Sequence, residues 1–341
     1  MPTLGESAPV DTNSYLSPER DYPVPMSATC QSHLKGLTFL WLEITPHCNL
    51  HCQHCYVSSS PRLQDPMVVD WQLVLHQARE AGCRSVQFIG GEPMSNPRLL
   101  DYLAEAHKLD YRFIEIYTNL TLLTDRVARQ FSSYGTNIAT SFYSFRRETH
   151  ERITGVRGSF DRTLAGIDRA LSASLPLRVG IINTGMNDSE VQESIEFLAG
   201  RGVDRNWIHT DKTRPVGRGA DLTPSESLQK TLCGHCWRGK LCVTAHGACY
   251  PCVFARNLTA GSVLTQNVST IVESQELLGF RNLIYETFRT HPTDHHSERH
   301  DRECVPESCV PCSPAGCKPA ECTPIGGCDP SCAPPCNPDR P

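Results

Sequence analysis

The 341-residue chain has little tryptophan and little methionine, four and five residues, and its aromatic content is 7%. It lacks long apolar runs: none approaches the ~20 residues a membrane helix needs, so no membrane role is expected. It also lacks an excess of one charge. The 32 Lys and Arg stand against 37 Asp and Glu, a net charge of -5, which excludes general attraction to nucleic acid or anionic lipid. The stretch from Met1 to Tyr15 carries Glu6 and Asp11 and no apolar core, so it does not read as a secretory signal and a cytoplasmic location is expected. Finally, there is no cysteine from Arg84 to Leu232.

That gap matters because cysteine is abundant elsewhere, 18 in all. In a reducing compartment these are not expected to be disulfides, and metal or cluster ligation is the leading reading. Cys48, Cys52 and Cys55 form one tight group. Cys233, Cys236, Cys242, Cys249 and Cys252 form a second. Cys304, Cys309, Cys312, Cys317, Cys322, Cys328, Cys332 and Cys336 fill a Pro-rich tail. Such a tail cannot build a core and needs ligation to be ordered. Cys30 and Cys83 stand alone and read as plain small residues.

Between the groups, strand and helix patterns alternate. The strands are expected at 37–45, 85–89, 112–117, 137–142, 177–183 and 206–210. Asp70 can cap a helix whose apolar face is Trp71, Val74, Leu75 and Ala78, with Gly82 ending it. Asn96 can cap the next; further helices are expected over 125–132, from a Ser159 cap to Leu171, and over 188–198. Six such units imply an α/β fold with a parallel sheet and right-handed crossovers, with chemistry at the carboxyl ends of the strands.

The first cysteine group reads Thr45-Pro-His-Cys48-Asn-Leu-His-Cys52-Gln-His-Cys55-Tyr56, directly after the first strand. Three thiolates within eight residues suit a 4Fe–4S cube with one iron left open. A zinc knuckle completed by His47, His51 or His54 is the alternative. After the second strand comes Gly90-Gly91-Glu92-Pro93. Its glycines allow close backbone approach to a ligand, and Glu92 offers a carboxylate to an ammonium group.

Together these motifs resemble those of the radical S-adenosylmethionine (SAM) superfamily, over about Gly36 to Lys212. The resemblance implies a partial (β/α)6 TIM-like barrel over 37–212. An N-terminal extension (1–36), a connection (213–232) and a Cys-rich auxiliary region (233–341) flank it. It implies a 4Fe–4S cluster on Cys48, Cys52 and Cys55, and SAM bound with the help of Tyr56, Gly90, Gly91, Glu92, Thr118, Asn119, Ser141 and Asn183. It also implies a 5′-deoxyadenosyl radical that takes hydrogen from an unactivated C–H bond, and an electron donor such as flavodoxin or ferredoxin. Where the family often has Thr-Asn-Gly, this chain has Thr118-Asn119-Leu120. For Thr118, Asn119, Ser141 and Asn183, ordinary satisfaction of strand-end backbone is an equal alternative.

Cys236, Gly247 and Cys252 resemble the opening of a SPASM-type auxiliary cluster domain built on a β-hairpin. Cys309, Cys312, Cys317 and Cys322 resemble its later block with altered spacing. Cys233, Cys242, Cys249 and the other tail cysteines have no place in that pattern. One or two auxiliary iron–sulfur clusters are implied, with zinc as the alternative. The histidines His291, His295, His296 and His300 read as a solvated linker. Arg214 and Arg218 fit either a polar loop or a contact to a substrate carboxylate or phosphate.

The order of motifs is similar to radical decarboxylases of nucleoside-antibiotic biosynthesis that act on cytosylglucuronic acid. That implies a small sugar-nucleoside substrate and a carbon–carbon lyase. Two alternatives stay open: a maturase that crosslinks or epimerises a ribosomal precursor peptide, and a non-catalytic iron–sulfur protein. The glycine–glutamate motif argues against the last. A leader-binding domain of about 50 residues or more is not expected in the roughly 36 residues ahead of the first strand, which disfavours the maturase a little and leaves open a leader-binding domain on a separate chain.

Overall fold

A computed structural model describes residues 34–225 and 227–290. The tail cysteines Cys304 to Cys336, including the candidate ligands Cys309, Cys312, Cys317 and Cys322, lie outside the described residues, as do Cys30 and His291 to His300.

All six expected strands form: β1 Phe39–Glu43, β2 Ser85–Ile89, β3 Phe113–Tyr117, β4 Asn137–Phe142, β5 Leu177–Asn183 and β6 Ile208–Lys212. Each pairs in parallel with the next, so the order is 6-5-4-3-2-1. The last strand starts two residues later than expected. Asp204 accepts the Asn206 N–H and winds Arg205–Trp207 into a 3-10 turn first. Consecutive parallel neighbours bring every β-to-α loop to one edge, the partial-barrel arrangement.

Helices α1 Trp71–Glu80, α2 Leu99–Lys108, α3 Asp125–Ser133, α4 Arg147–Thr154, α5 Ser159–Ser172 and α6 Val191–Gly200 fill the crossovers. Asp70 caps α1 by accepting the Leu73 N–H at 3.0 Å, and Trp71, Val74, Leu75 and Ala78 are buried as the spacing requires. Two cap assignments are corrected. Asn96 does not cap α2: its carbonyl accepts the Arg98 N–H while its amide donates to Ile44 O at the end of β1. Ser159 is the first residue of α5 behind Gly158, and its hydroxyl pairs with that of Thr154 at 2.7 Å. At the start of α6, Asp188–Glu190 is a separate 3-10 turn.

The expected hairpin also forms. β7 Lys240–Val243 and β8 Ala248–Tyr250 pair antiparallel, with Gly247 in the turn at φ 81°. β7 pairs in parallel with β1, and β8 pairs with the short β9 Gly261–Ser262, so the hairpin extends the same sheet. The 213–232 connection holds two one-turn helices, α7 Gly219–Leu222 and α8 Leu228–Thr231. Helices α9 Val268–Val272 and α10 Gln275–Thr290 follow the hairpin. Among the described residues, no helix is long and apolar enough to cross a membrane.

Candidate active site

The loop from Thr45 to Ser60 leaves β1 and carries all three cysteines of the first group. Three neighbouring segments hold its backbone. From the β2 side, Gly91 N–H donates to Thr45 O at 2.7 Å and Glu92 N–H to His47 O at 2.8 Å. A Cβ on Gly90 or Gly91 would collide with the backbone at Thr45 or His47. The glycines therefore serve a close approach of this chain to itself. This packing is a second use of the glycines beside the expected approach to a ligand.

From the β4 side, the last carbonyls of α4 are met by the cysteine loop. His51 N–H donates to Thr154 O at 2.9 Å and Gln53 N–H to Ile153 O at 3.0 Å. Helix ends leave such carbonyls without partners, and here the loop satisfies them. From beyond β6, the Arg218 N–H donates to Cys55 O, its Nε to Cys52 O at 2.8 Å and its Nη2 to Ser59 O at 2.8 Å. Arg218 is thus a clamp on the loop.

Glu92 is fully buried, and its carboxylate accepts three hydrogen bonds. The donors are Met94 N–H at 2.9 Å, Thr118 Oγ1 at 2.6 Å and Asn119 N–H at 2.7 Å. Burial raises its pKa while these bonds oppose the rise. Glu92 therefore ties the β2 and β3 loops together, a role that the reading of an ammonium partner missed. With no cation against it, this buried carboxylate would still gain from one.

Asn119 reaches the cysteine loop through its amide, at 2.8 Å from Asn49 Oδ1 and 3.8 Å from Cys48 Sγ. Leu120 stands in the left-handed region at φ 62°, so the chain keeps the turn that a glycine would permit. Its side chain is fully buried. Gly166 of α5 lies so close that a Cβ there would collide with Leu120 O.

The other expected site residues each have protein partners. Ser141 Oγ lies 3.0 Å from the Tyr117 hydroxyl. Asn183 accepts the Gly185 N–H on its side chain and the Thr213 N–H on its carbonyl, bracing β5 against β6. Tyr56 turns toward the hairpin, edge-on to Phe254 at 5.3 Å and beneath Arg256, with its hydroxyl bonded to Glu43.

The thiols themselves fit a metal centre. Cys48 is pushed up to about 12, first by burial and then by the Glu92 charge. Cys52 is raised further, by burial and by the Cys55 and Cys48 charges. Three thiolates so close repel one another unless a cation lies between them. Donors already face the sulfurs, with Leu50 N–H 3.4 Å from Cys48 Sγ and the Tyr143 hydroxyl 4.0 Å from Cys52 Sγ. Among the described residues, no three His, Cys, Asp or Glu are arranged to hold a single metal ion. His47 Nδ1 is engaged with Ser95 Oγ at 3.1 Å.

Behind Tyr143 lies His150, buried among Phe142, Tyr143 and Phe160 with neither ring nitrogen bonded. Burial lowers its pKa to about 3. Folded protein keeps this ring neutral, whereas an unfolded histidine protonates below about 6.5. Stability therefore falls as pH drops from about 6.5 toward 3, by up to about 1.4 kcal/mol per unit from this group. Melting temperatures of wild type and His150→Phe between pH 7 and 4 check this. The variant is expected to lose less, and equal slopes would refute it.

The second cysteine group supplies a residue the pattern had left out. Cys236 lies within hydrogen-bond reach of both Cys233 and Cys252, and these contacts with burial push its pKa up. The three sit in a small core with Leu232, Trp237, Leu258 and Ile284. The spacing Cys233-x2-Cys236 was the available signal. Cys242 faces Glu43, Cys249 is buried in the main core, and Cys83 donates to Ser85 O at 3.2 Å as a structural residue.

A sequence profile of the Radical SAM superfamily matches residues 42–198, from β1 to the end of α6. The match covers a little under half of the chain. Proteins of this superfamily use a 4Fe–4S cluster and SAM. The probable GTP 3′,8-cyclase of Saccharolobus islandicus (strain M.14.25 / Kamchatka #1) is 32% identical over 189 residues, which is 54% of this chain and 60% of that protein. A probable GTP 3′,8-cyclase of Methanothermobacter marburgensis is 26% identical over 205 residues, 59% of this chain and 65% of that protein. The chain thus spans less than two thirds of these relatives. Streptococcus suis SuiB, solved with its precursor peptide SuiA, superposes with a TM-score of 0.60 at 16% identity, covering 74% of this chain and 68% of SuiB. The anSMEcpe structure with bound AdoMet gives 0.56 at 16% identity, covering 73% and 81%. At these identities the structural likeness shows a shared fold alone.

Proposed function

We propose that the protein is a radical SAM enzyme that removes hydrogen from the sugar of a nucleoside-type substrate, with decarboxylation of cytosylglucuronic acid as its specific reaction. The observation that carries the first part is the convergence of Cys48, Cys52 and Cys55 with the Gly90–Glu92 turn and Asn119 at neighbouring strand ends. Cys48, Cys52 and Cys55 would hold the cluster. When bound, cluster and SAM supply a one-electron cleavage that yields a 5′-deoxyadenosyl radical.

This chain's residues then do four things. Gly91, α4 and Arg218 fix the loop's backbone, so the thiols keep one arrangement. Leu50, Asn119 and Tyr143 donate to the sulfurs, which tunes a cluster's potential. Glu92 would offer a buried negative charge to the ammonium group of SAM. The loops at the strand ends limit water, so that a reactive carbon radical meets only its target.

The sugar-nucleoside reading draws support from relatives whose names give GTP as substrate, a ribose-bearing molecule. They are named cyclases, so the lyase step rests on the order of motifs along this chain. Cys233, Cys236 and Cys252 would hold an auxiliary iron–sulfur cluster, a place for the electron that completes the product.

The test is anaerobic turnover of reconstituted, reduced protein with cytosylglucuronic acid and, separately, GTP. Loss of CO2 with formation of 5′-deoxyadenosine is expected with the first. A cyclised nucleotide from GTP, with no CO2 from the acid, would overturn the decarboxylase reading and keep the radical enzyme.

A further inference from the structure

Arg214 follows β6 at the carboxyl edge of the sheet. Its side chain is only 9% exposed, yet Nε and Nη1 find no hydrogen-bond partner. That leaves three N–H donors idle. Among the described residues, no other buried guanidinium leaves two nitrogens without a partner. Only Nη2 is engaged, with Asp211 Oδ1 and Oδ2 at 2.8 and 3.0 Å.

The surroundings place this group beside the cysteine loop. The guanidinium lies over the Phe254 ring at 5.6 Å, and Phe254 in turn meets Tyr56, which follows Cys55. A Cβ on Gly219 would collide with Arg214 O and lie 3.3 Å from His54 O, so the turn is pressed against the loop. Arg218, the other basic residue of this turn, is spent on Cys52 O and Ser59 O. Asp211 is 42% exposed and therefore partly screened by solvent, unlike its partner.

Burying a guanidinium with idle donors is costly, and its planar donors match the oxygens of a carboxylate or phosphate. The geometry points to Arg214 as the binding residue for an oxyanion presented between the cysteine loop and Phe254. This deepens the proposed function and rests on it for the source of that oxyanion. The source is either the acid group of the substrate or the carboxylate of SAM.

The experiment is calorimetric titration of inorganic phosphate into the full, cluster-reconstituted chain, with and without SAM. Wild type is expected to bind phosphate, and Arg214→Met to bind it at least roughly ten-fold more weakly. Asp211→Asn removes the competing carboxylate and is expected to tighten binding, a gain that a merely structural Arg214 would not produce. Phosphate that competes with SAM assigns the oxyanion to SAM, and phosphate that binds equally well beside SAM assigns it to the substrate. Equal phosphate uptake by wild type and by Arg214→Met of unchanged melting temperature overturns the proposal, as does no uptake by wild type. A chain that fails to bind SAM but whose phosphate binding depends on Arg214 overturns the proposed function and upholds the site.

Discussion

Cys48→Ala is expected to abolish 5′-deoxyadenosine formation in reconstituted, reduced protein while leaving the melting temperature close to wild type. Cys48 sits in a loop whose backbone is held from three sides, so removal of one sulfur leaves the scaffold in place. Its thiol is buried and high in pKa. Loss of a ligand should exceed the roughly 10–100-fold drop that accompanies loss of a residue merely bonded to a ligand. Asn119→Ala, which deletes the amide facing Cys48 Sγ, is the comparison for that smaller effect. Normal 5′-deoxyadenosine production by Cys48→Ala would refute the cluster assignment.

Gly91→Ala is the second large effect, and it acts through backbone. The added Cβ would collide with His47 O, and neither partner is the end of a flexible side chain. The two strands of loop must part, which breaks Gly91 N–H to Thr45 O and Glu92 N–H to His47 O. A loss of about 2–4 kcal/mol is expected from the overpacking and the orphaned groups. Iron content after reconstitution and SAM affinity should fall with it. Gly82→Ala is the control, since Gly82 also has positive φ, at 95°, but meets nothing within 4 Å. It should cost about 1 kcal/mol and leave iron content unchanged. Wild-type iron content and SAM binding in Gly91→Ala would show that the close approach has no bearing on the site.

Both predictions concern residues that stood out in the amino-acid sequence, but for different reasons. The cysteine spacing carried its own signal, because three thiols within eight residues stay close together whatever the rest of the fold does. Gly90, Gly91 and Glu92 were recognisable as a motif, but their part in joining the loops to one another was not legible. The glycines accommodate Thr45 and His47, and Glu92 binds the β3 loop through Thr118 and Asn119. Helix α4 went unrecognised because its buried face is Thr149, His150, Ile153 and Thr154, only one of them aliphatic. Its importance lies in two carbonyls, which have no signature in side-chain pattern.

Cys233 and Arg214 show the same division. Pattern alone gave Cys233 no partner, and the fold set it beside Cys236 and Cys252. Arg214 and Arg218 looked equivalent in a polar connection, yet one spends its donors on loop carbonyls and the other keeps two nitrogens idle.

By itself, then, the sequence determined the apolar strand runs and helical patterns that make a parallel sheet, and marked the thiols proposed to hold a cluster, since both follow from local spacing. Tertiary structure decided which backbone groups meet across loops far apart in the chain, and which buried charges find partners. Those depend on distances that no local pattern encodes, because hydrogen bonding and desolvation are settled only when the strand ends converge.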